Sequence, residues 1–163
     1  MIEVVDLSEK QILELLGRLN YGHLACCRDL IPYVVPVNFA YLNGRIYLYT
    51  TEGKKVDFIA KNPNVCLQAE EVESNRNWKS VIVDGVAEEL DAGPERDLAL
   101  DLISKINPTL TPAVSIRWMD DWVRENIEVI YQIVQTATSG RRALDRTGDT
   151  PFVPQSGEQL DVI

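Results

Sequence analysis

Residues 46–63 read IYLYTTEGKKVDFIAKNP, and the pattern changes from strand to helix within them. The first four residues are branched, apolar or aromatic, which predicts a strand. Residues 54–61 place Val56 and Ile59 toward one side, which predicts a short helix that ends before Pro63. The chain therefore passes from a strand through a tight turn into a helix.

The turn between this strand and this helix collects groups that bind anions. Free N–H groups and the positive dipole end at the start of a helix favour a negative charge. Lys54 and Lys55 add full positive charges there, and Thr50 and Thr51 add hydroxyl donors beside Gly53. The residues indicate a phosphate site, and they leave open the alternative of a solvated lysine pair that opens a surface helix.

Composition limits the classes of function. The chain has 163 residues, enough for one domain with a full core, and its 45% hydrophobic and 25% charged residues are ordinary for a globular protein. Its net charge of −9 argues against nucleic acid or an anionic membrane surface as a partner. Because the sequence shows no membrane-spanning apolar run and no signal-peptide pattern, we expect a cytoplasmic protein.

Few residues suggest catalysis by side chains. Cys26, Cys27 and Cys66 lack metal-ligand spacing, and with one histidine in the chain they predict reduced thiols and no metal site. His23 is left between a partly buried structural role, which we favour, and a position near a ligand. The sequence contains neither the nucleophile patterns of hydrolases nor the glycine motifs of nucleotide-binding loops.

The remaining periodicities predict a mainly β fold of the α+β class. Apolar patterns predict helices at 9–19, 54–61 and 94–105, and strands at 24–27, 33–41, 45–49, 65–69, 78–89 and 127–136. Most of these strands are joined by short antiparallel turns. That order fits a small antiparallel barrel with helices packed outside it.

Several connections carry their own signals. Asn43 and Gly44 predict a hairpin that pairs the strand at 33–41 with the strand at 45–49, and Pro36 predicts an edge position or a bulge. Other segments read less clearly: a loop or strand end at 70–77, a loop at 107–112, an ambiguous stretch at 115–121, and a loose tail from Gly140 onward.

Five sequence blocks in this order and spacing carry a family resemblance: GHLA at 22–25, PYVVPVNFAY at 32–41, NGRIYLYT at 43–50, GKKVDFIAKNPNV at 53–65 and WKSVIVDGVAE at 78–88. Together they resemble the flavin-binding split-barrel family that includes pyridoxamine 5'-phosphate oxidase, and within it the nitroimidazole-resistance (Nim)-like branch. The resemblance covers roughly residues 8–142. It implies a six-stranded antiparallel split-barrel domain at 1–142 with a C-terminal tail at 143–163, and a homodimer with FMN in each of two clefts between subunits.

The resemblance also implies a cofactor site. Its residues are Pro36, Val37, Asn38, Tyr49, Thr50, Thr51, Lys54, Lys55, Trp78, Lys79 and Ser80. The lysine pair would hold the FMN phosphate, with Lys55 the closer match to the recurrent family lysine. The strand end before the lysines would lie along the flavin, and the Pro-Val-Asn stretch near its ring. Trp78 and the two residues after it would reach the flavin of the other subunit.

The C-terminal region departs from pyridoxamine 5'-phosphate oxidase itself, which has further arginine and histidine residues there. This chain offers Arg141 and Arg142 but no histidine in that region. We therefore do not expect the vitamin B6 oxidase. The two arginines are left between holding a substrate anion and being tail charges, and we favour the second.

The resemblance implies a flavin-dependent oxidoreductase. It would be a reductase that moves electrons from a donor such as NAD(P)H to a small electron-poor acceptor, with nitro compounds as the expected class, or an oxidase of the pyridoxamine-phosphate-oxidase-like kind. The flavin carries such chemistry, so no catalytic side chain is assigned. The alternatives are a flavin-binding module without turnover, a binder of a deazaflavin or haem, and a dimeric scaffold with an empty cleft.

Overall fold

A computed structural model describes the chain at residues 2–106 and 128–145. The described residues form seven strands, β1 (Ile2–Asp6), β2 (Tyr21–Arg28), β3 (Ile31–Leu42), β4 (Arg45–Thr51), β5 (Asn64–Ser74), β6 (Asn77–Glu89) and β7 (Glu128–Asp145). They also form three helices, α1 (Glu9–Arg18), α2 (Lys54–Lys61) and α3 (Pro94–Ile106). No helix in these two segments is long and apolar enough to cross a membrane.

Six of the strands close into an antiparallel ring. The neighbours run β7-β4-β3-β2-β5-β6, and β6 pairs with β7 again, which closes the barrel. The strand β1 pairs with the last part of β7 as a seventh strand. The predicted six-stranded antiparallel split barrel with flanking helices is therefore confirmed, while β1 was not predicted.

The end of β7 corrects the prediction of a loose tail from Gly140. The strand continues to Asp145, because β1 pairs with Arg141–Asp145 on one side and β6 pairs as far as Ala143 on the other. This part of the predicted tail is thus a paired strand. The remainder of the tail, the predicted loop at 107–112 and the ambiguous stretch at 115–121 lie outside the described residues.

At the polar stretch 70–77 the predicted strand end is confirmed, and the alternative of a loop is not. The strand β5 continues through it to Ser74, and β6 begins at Asn77 after a two-residue turn. The ladder shifts register between Val72 and Ser74, which marks a bulge near the turn. The two strands form a long hairpin.

The barrel interior is apolar and is covered at one end by α1. The predicted capping box is confirmed, because the Ser8 hydroxyl accepts from the Gln11 amide and the Gln11 side chain accepts from the Ser8 amide. The helix buries Leu15 and Leu16 against the core. Gly140 permits this close packing, since a Cβ atom there would lie 2.9 Å from the Leu7 side chain.

The helix α3 packs on the outside of the barrel. Ala99 and Ile103 of α3 bury Tyr47 and Ile130 of the neighbouring strands in a second apolar cluster. The Tyr47 hydroxyl donates a hydrogen bond of 2.6 Å to Glu95 Oε1, at the start of the helix. This contact fixes α3 against the back of β4.

The ring is split between β3 and β4. The predicted Asn43-Gly44 hairpin is confirmed, but the ladder runs only from Leu42–Arg45 to Phe39–Leu48. The Phe39 N–H donates to Asn20 O on the β2 side. Because successive residues of a strand point their N–H groups to opposite sides, the nitrogen of Pro36 faces β4.

Pro36 lies on the part of β3 that does not pair with β4, three residues beyond the end of the ladder at Phe39. Its nitrogen carries no hydrogen, so it has no donor to offer β4 there. The predicted edge position of Pro36 is thus confirmed on the β4 side, while β2 still pairs with it through His23. Beyond Phe39 the two strands separate, and Thr50 and Thr51 pair only with β7.

Candidate functional site

A cavity of about 180 Å³ lies where the two strands separate, beside the first turn of α2. Its lining residues are Tyr33, Val35, Pro36, Thr50, Thr51, Glu52, Gly53, Lys54 and Lys55. Five of the residues expected at the cofactor site are therefore brought together by the fold. They come from β3, from the end of β4 and from the start of α2.

Gly53 makes the abrupt change from strand to helix. Its φ of 151° and ψ of −170° belong to a region that only glycine occupies without strain. No side chain of the described residues caps α2, although the Asp57 N–H donates to Gly53 O at 3.0 Å. The uncapped first turn points its amide donors toward an incoming acceptor.

Lys54 lies at the mouth of the cavity over two aromatic rings. Its ammonium is 4.5 Å from the centroid of the Tyr33 ring and 5.5 Å from that of Phe58. The two rings themselves are 5.4 Å apart and tilted by 52°. Such cation–π contacts hold the exposed ammonium near the cavity without neutralising its charge.

Lys55 is half-buried and has no acidic partner within residues 2–106 and 128–145. Burial lowers the pKa of its ammonium, and among the described residues only the Cys26 sulfur acts against that change. Burial also raises the pKa of the Cys26 thiol, so at neutral pH it is no counter-ion for the lysine. A buried charge without a partner is costly, and an anion in the cavity would offset that cost.

Thr51 adds an unused hydroxyl. Its side chain is 4% exposed, and its Oγ1 has no hydrogen-bond partner among the described residues. The neighbouring Thr50 Oγ1 donates a long bond of 3.4 Å to Thr51 O. Since buried polar atoms are normally satisfied, a ligand oxygen is the missing partner that fits here. The donor set of amides, hydroxyls and ammonium groups suits a phosphate.

The profile of the pyridoxamine 5'-phosphate oxidase family matches residues 8–142, which contain this cavity. The chain belongs to that family. The family predicted from the five sequence blocks is thereby confirmed.

Similar proteins are found both by sequence and by structure. An uncharacterized protein of Rhizobium meliloti is 43% identical over 91 residues, which cover 56% of this chain and 59% of that relative. A solved FAD-binding protein of Mesorhizobium loti is 33% identical, with a TM-score of 0.71, covering 85% of this chain and 97% of its own.

A more distant structure shows the fold alone. It is a Bacteroides thetaiotaomicron protein provisionally described as a 5-nitroimidazole antibiotic resistance protein, 21% identical with a TM-score of 0.65. The similarity covers 90% of this chain and 93% of the Bacteroides thetaiotaomicron chain. At this level of identity the comparison carries no information on ligands.

Other residues expected from the family lie beside the cavity rather than in its wall. Val37 is buried in the hydrophobic core, because side chains alternate along β3 and its neighbour Pro36 faces the other way. Asn38 is exposed and lies opposite Tyr21 in the register. Tyr49 is half-buried and immediately precedes the two threonines.

Trp78, Lys79 and Ser80 are not brought to this cavity within one chain. Trp78 pairs with Ala143 near the end of β7, whereas Thr51 pairs with Glu128 at its beginning. Ser80 instead lines a separate cavity of about 590 Å³. A contact of these residues with a flavin needs a second subunit and stays a prediction.

The sequence did not identify all of the cavity wall. Tyr33, Val35 and Glu52 line it without having been predicted, although Pro36 could have located the two strand residues. His23 is exposed, so the favoured partly buried role was wrong. It lies opposite Pro36 in the register, with the Tyr21 ring at 5.8 Å.

Proposed function

We propose that this protein is a flavoprotein whose split between β3 and β4 holds the phosphate of FMN. The observation that carries the proposal is the half-buried Lys55, which has no counter-ion in the described part of the chain and lies beside the Thr51 hydroxyl, whose Oγ1 has no hydrogen-bond partner there. Phosphate oxygens would accept from both groups and from the uncapped turn at Gly53. Lys54 would add a second positive charge at the mouth.

The size of the cavity supports a shared site. Pockets that hold a cofactor-sized ligand have volumes of about 300–1,000 Å³, and this one has about 180 Å³. The cavity would therefore hold only the phosphate end of the flavin, and the flavin ring would lie against the outer face of the sheet. Tyr21, Val34 and Ile82 expose apolar side chains on that face, which suits coverage by a second copy. We therefore propose a homodimer.

The proposed activity is reduction of small electron-poor acceptors, such as nitro compounds, with NAD(P)H as donor. The bound flavin would supply the electron transfer, while the chain binds it, orients it and limits water at its phosphate end. Membership of the family supports flavin chemistry in general. The three cysteines are free thiols, which suits a reducing cytoplasm as the proposed location.

FAD is a second candidate, because the Mesorhizobium loti protein at 33% identity is described as FAD-binding. FAD would use the same phosphate contacts and extend its second phosphate and adenosine out of the cavity. A module that binds flavin without turnover would use the same phosphate contacts. A deazaflavin that carries a phosphate would also fit them. Haem has no phosphate, but its two propionate carboxylates would be able to pair with Lys55, so the lysine alone does not discriminate against it.

The test begins with the visible spectrum of the purified protein, before and after soaking with FMN or FAD and desalting. Flavin absorbance is expected to remain, and chromatography of the heat-released supernatant identifies which flavin it is. Replacing Lys54 and Lys55 together by alanine is expected to remove it, while Lys61→Ala, at the exposed end of α2, serves as the control. Retention in the double variant would contradict the site.

Two further measurements separate the remaining alternatives. Light scattering after gel filtration is expected to give twice the monomer mass, and a monomer that retains flavin would contradict the shared site. Steady-state oxidation of NAD(P)H with a nitroaromatic acceptor is expected in the flavin-loaded protein. Tight flavin binding without turnover for any acceptor would favour the non-catalytic module.

A further inference from the structure

His23 is the single histidine of the chain, and it lies next to the wall of the proposed flavin site. In the β2–β3 ladder it stands directly opposite Pro36, which lines the cavity beside the start of α2. Directly opposed residues of an antiparallel pair share one face of the sheet, with their Cβ atoms about 4.5–5.5 Å apart. The imidazole therefore lies one strand away from the cavity wall, on the outer face against which the flavin ring is proposed to lie.

The imidazole is exposed and packs against one neighbouring ring. Tyr21 lies two residues earlier on β2 and so shares the outer face, and the two ring centroids are 5.8 Å apart at an interplanar angle of 76°. Such an edge-to-face contact favours one orientation of the ring. Within residues 2–106 and 128–145 the ring nitrogens of His23 have no hydrogen-bond partner, so they are available to a ligand.

The residues that flank His23 leave its protons to such a ligand. Pro36 faces it from β3 and Gln68 from β5, and neither carries a charge. Glu70 is the next residue of β5 on this face, and its carboxylate already accepts a hydrogen bond of 3.1 Å from Gln68 Nε2. In the described part of the chain the imidazole therefore forms no ion pair, which a purely structural histidine would be expected to have.

The proposed reaction needs a source of protons. A nitro group, NAD(P)H and one proton give a nitroso group, NAD(P)+ and water. The hydride from NAD(P)H brings two electrons and one hydrogen, one N–O bond breaks, and the released oxygen needs a second hydrogen to leave as water. A positioned side chain that gives this proton accelerates the step, and imidazole is the side chain best suited to do so near neutral pH.

We propose that His23 is the catalytic proton donor to an acceptor bound over the flavin ring. A ring N–H of His23 gives its proton to the nitro oxygen that leaves as water, and the exposed imidazole regains a proton from solvent. The inference rests on the proposed flavin site and reaction, and it adds to them the side chain that acts on the acceptor.

Two acceptors with different proton demands test the proposal. Stopped-flow absorbance follows reoxidation of the reduced, flavin-loaded protein by a nitroaromatic compound, and by ferricyanide, which accepts an electron without a proton. His23→Gln is expected to slow reoxidation by the nitroaromatic about a hundredfold or more and to leave the ferricyanide rate unchanged. Because the chain has one histidine, ferricyanide serves as the control. Equal rates in His23→Gln and the wild type, or equal losses with both acceptors, would overturn the proposal.

The single histidine also permits a readout without turnover. Its imidazole gives one Cε1–H resonance in the proton NMR spectrum, which the His23→Gln variant identifies by its absence. In the oxidised protein without NAD(P)H the nitroaromatic binds but is not reduced. The resonance is expected to shift as the nitroaromatic is added, and a resonance that does not respond would contradict contact between His23 and the acceptor.

Two further variants separate proton donation from a structural role. His23→Phe keeps a planar ring beside Tyr21 but has no proton to give, so it should bind FMN normally and be as slow as His23→Gln; a normal nitroaromatic rate in it would overturn the proposal. His23→Ala leaves space on an exposed face, and added imidazole should restore its rate in proportion to concentration.

The outcome also distinguishes this proposal from the proposed function. A wild-type protein that binds no flavin, or whose reduced form reacts with neither acceptor, would overturn both. A wild-type protein that reduces the nitroaromatic, with His23→Gln and His23→Phe equally fast, would overturn the role of His23 alone.

Discussion

Replacing Lys55 by methionine should have opposite effects on the free protein and on its flavin complex. Methionine keeps the length of the side chain and removes its charge, while Lys55 is half-buried with no acidic partner among the described residues. An uncompensated buried polar group costs about 1–3 kcal/mol in proteins. Lys55→Met is therefore expected to stabilise the free protein by an amount of that order.

The same change should weaken FMN binding. A hydrogen bond to a charged partner contributes about 1.5–3 kcal/mol, and about 1.4 kcal/mol corresponds to a factor of ten in affinity. The Kd for FMN is therefore expected to rise about ten- to hundredfold. The stabilisation of the free chain and the loss of affinity have one cause. The folded protein already holds the Lys55 ammonium in a half-buried position before an anion binds beside it.

The pH dependence follows from the lowered pKa of Lys55. Its folded pKa is below the ordinary value of 10.5, so between the two values the folded state binds fewer protons than the unfolded state. The charged lysine thus destabilises the free fold at neutral pH, and this cost fades as the pH rises through the folded pKa toward 10.5. The advantage of Lys55→Met should shrink over the same window.

Urea unfolding followed by circular dichroism measures the stability, and FMN fluorescence quenching measures the Kd. Lys61→Met is the matched control, because Lys61 is an exposed lysine in the last turn of the same helix. It should change neither quantity appreciably. A Lys55→Met protein that is less stable when free and that binds FMN as tightly as the wild type would refute the reasoning.

Three further changes test the fold and the site. Gly22→Ala should lower the free energy of unfolding by about 3 kcal/mol in urea titration, because the new Cβ would lie 2.4 Å from the Gln68 carbonyl oxygen, whereas Gly17→Ala has open space and should not destabilise. Gly53→Ala should cost about 1–3 kcal/mol in the same assay and weaken FMN binding, since its φ of 151° excludes a side chain. Burial, with the charges of Glu89 and Glu52, raises the pKa of Tyr131 to about 12. A raised acid pKa stabilises the fold below the ordinary value of 10.0 and loses that effect as the pH rises toward 12, so Tyr131→Phe should resist unfolding at pH 11 better than the wild type.

Local signals predicted the elements that shape the cavity. Asn43 and Gly44 both have positive φ, at 49° and 81°, as the predicted two-residue hairpin turn requires. The lysine pair opens α2 where the change from strand to helix pattern placed it, and Gly53 supplies the turn. Each of these features depends on neighbours along the chain, which is why sequence alone could indicate it.

The features that sequence missed depend on distant partners. The strand β1 is only five residues long, and the Gly140–Asp145 end of β7 has little local strand character. They are ordered by pairing with each other, and β7 pairs with β6 as well. Val37 was expected near the flavin together with Pro36 and Asn38, which stays a prediction, and strand alternation turns its side chain into the core. The partly buried role of His23 was predicted from its residue type, whereas its exposure is set by the face of β2 on which it lies.

Pro36 connects the architecture of the barrel to its site. The β3–β4 ladder stops at Phe39, and three residues further the nitrogen of Pro36, which faces β4, has no hydrogen to donate. The strands then separate, and the end of β4 is released to turn at Gly53 into α2. The cavity, the unsatisfied Thr51 hydroxyl and the uncompensated Lys55 all follow from that separation, so the opening in the barrel and the place for an anion have one origin.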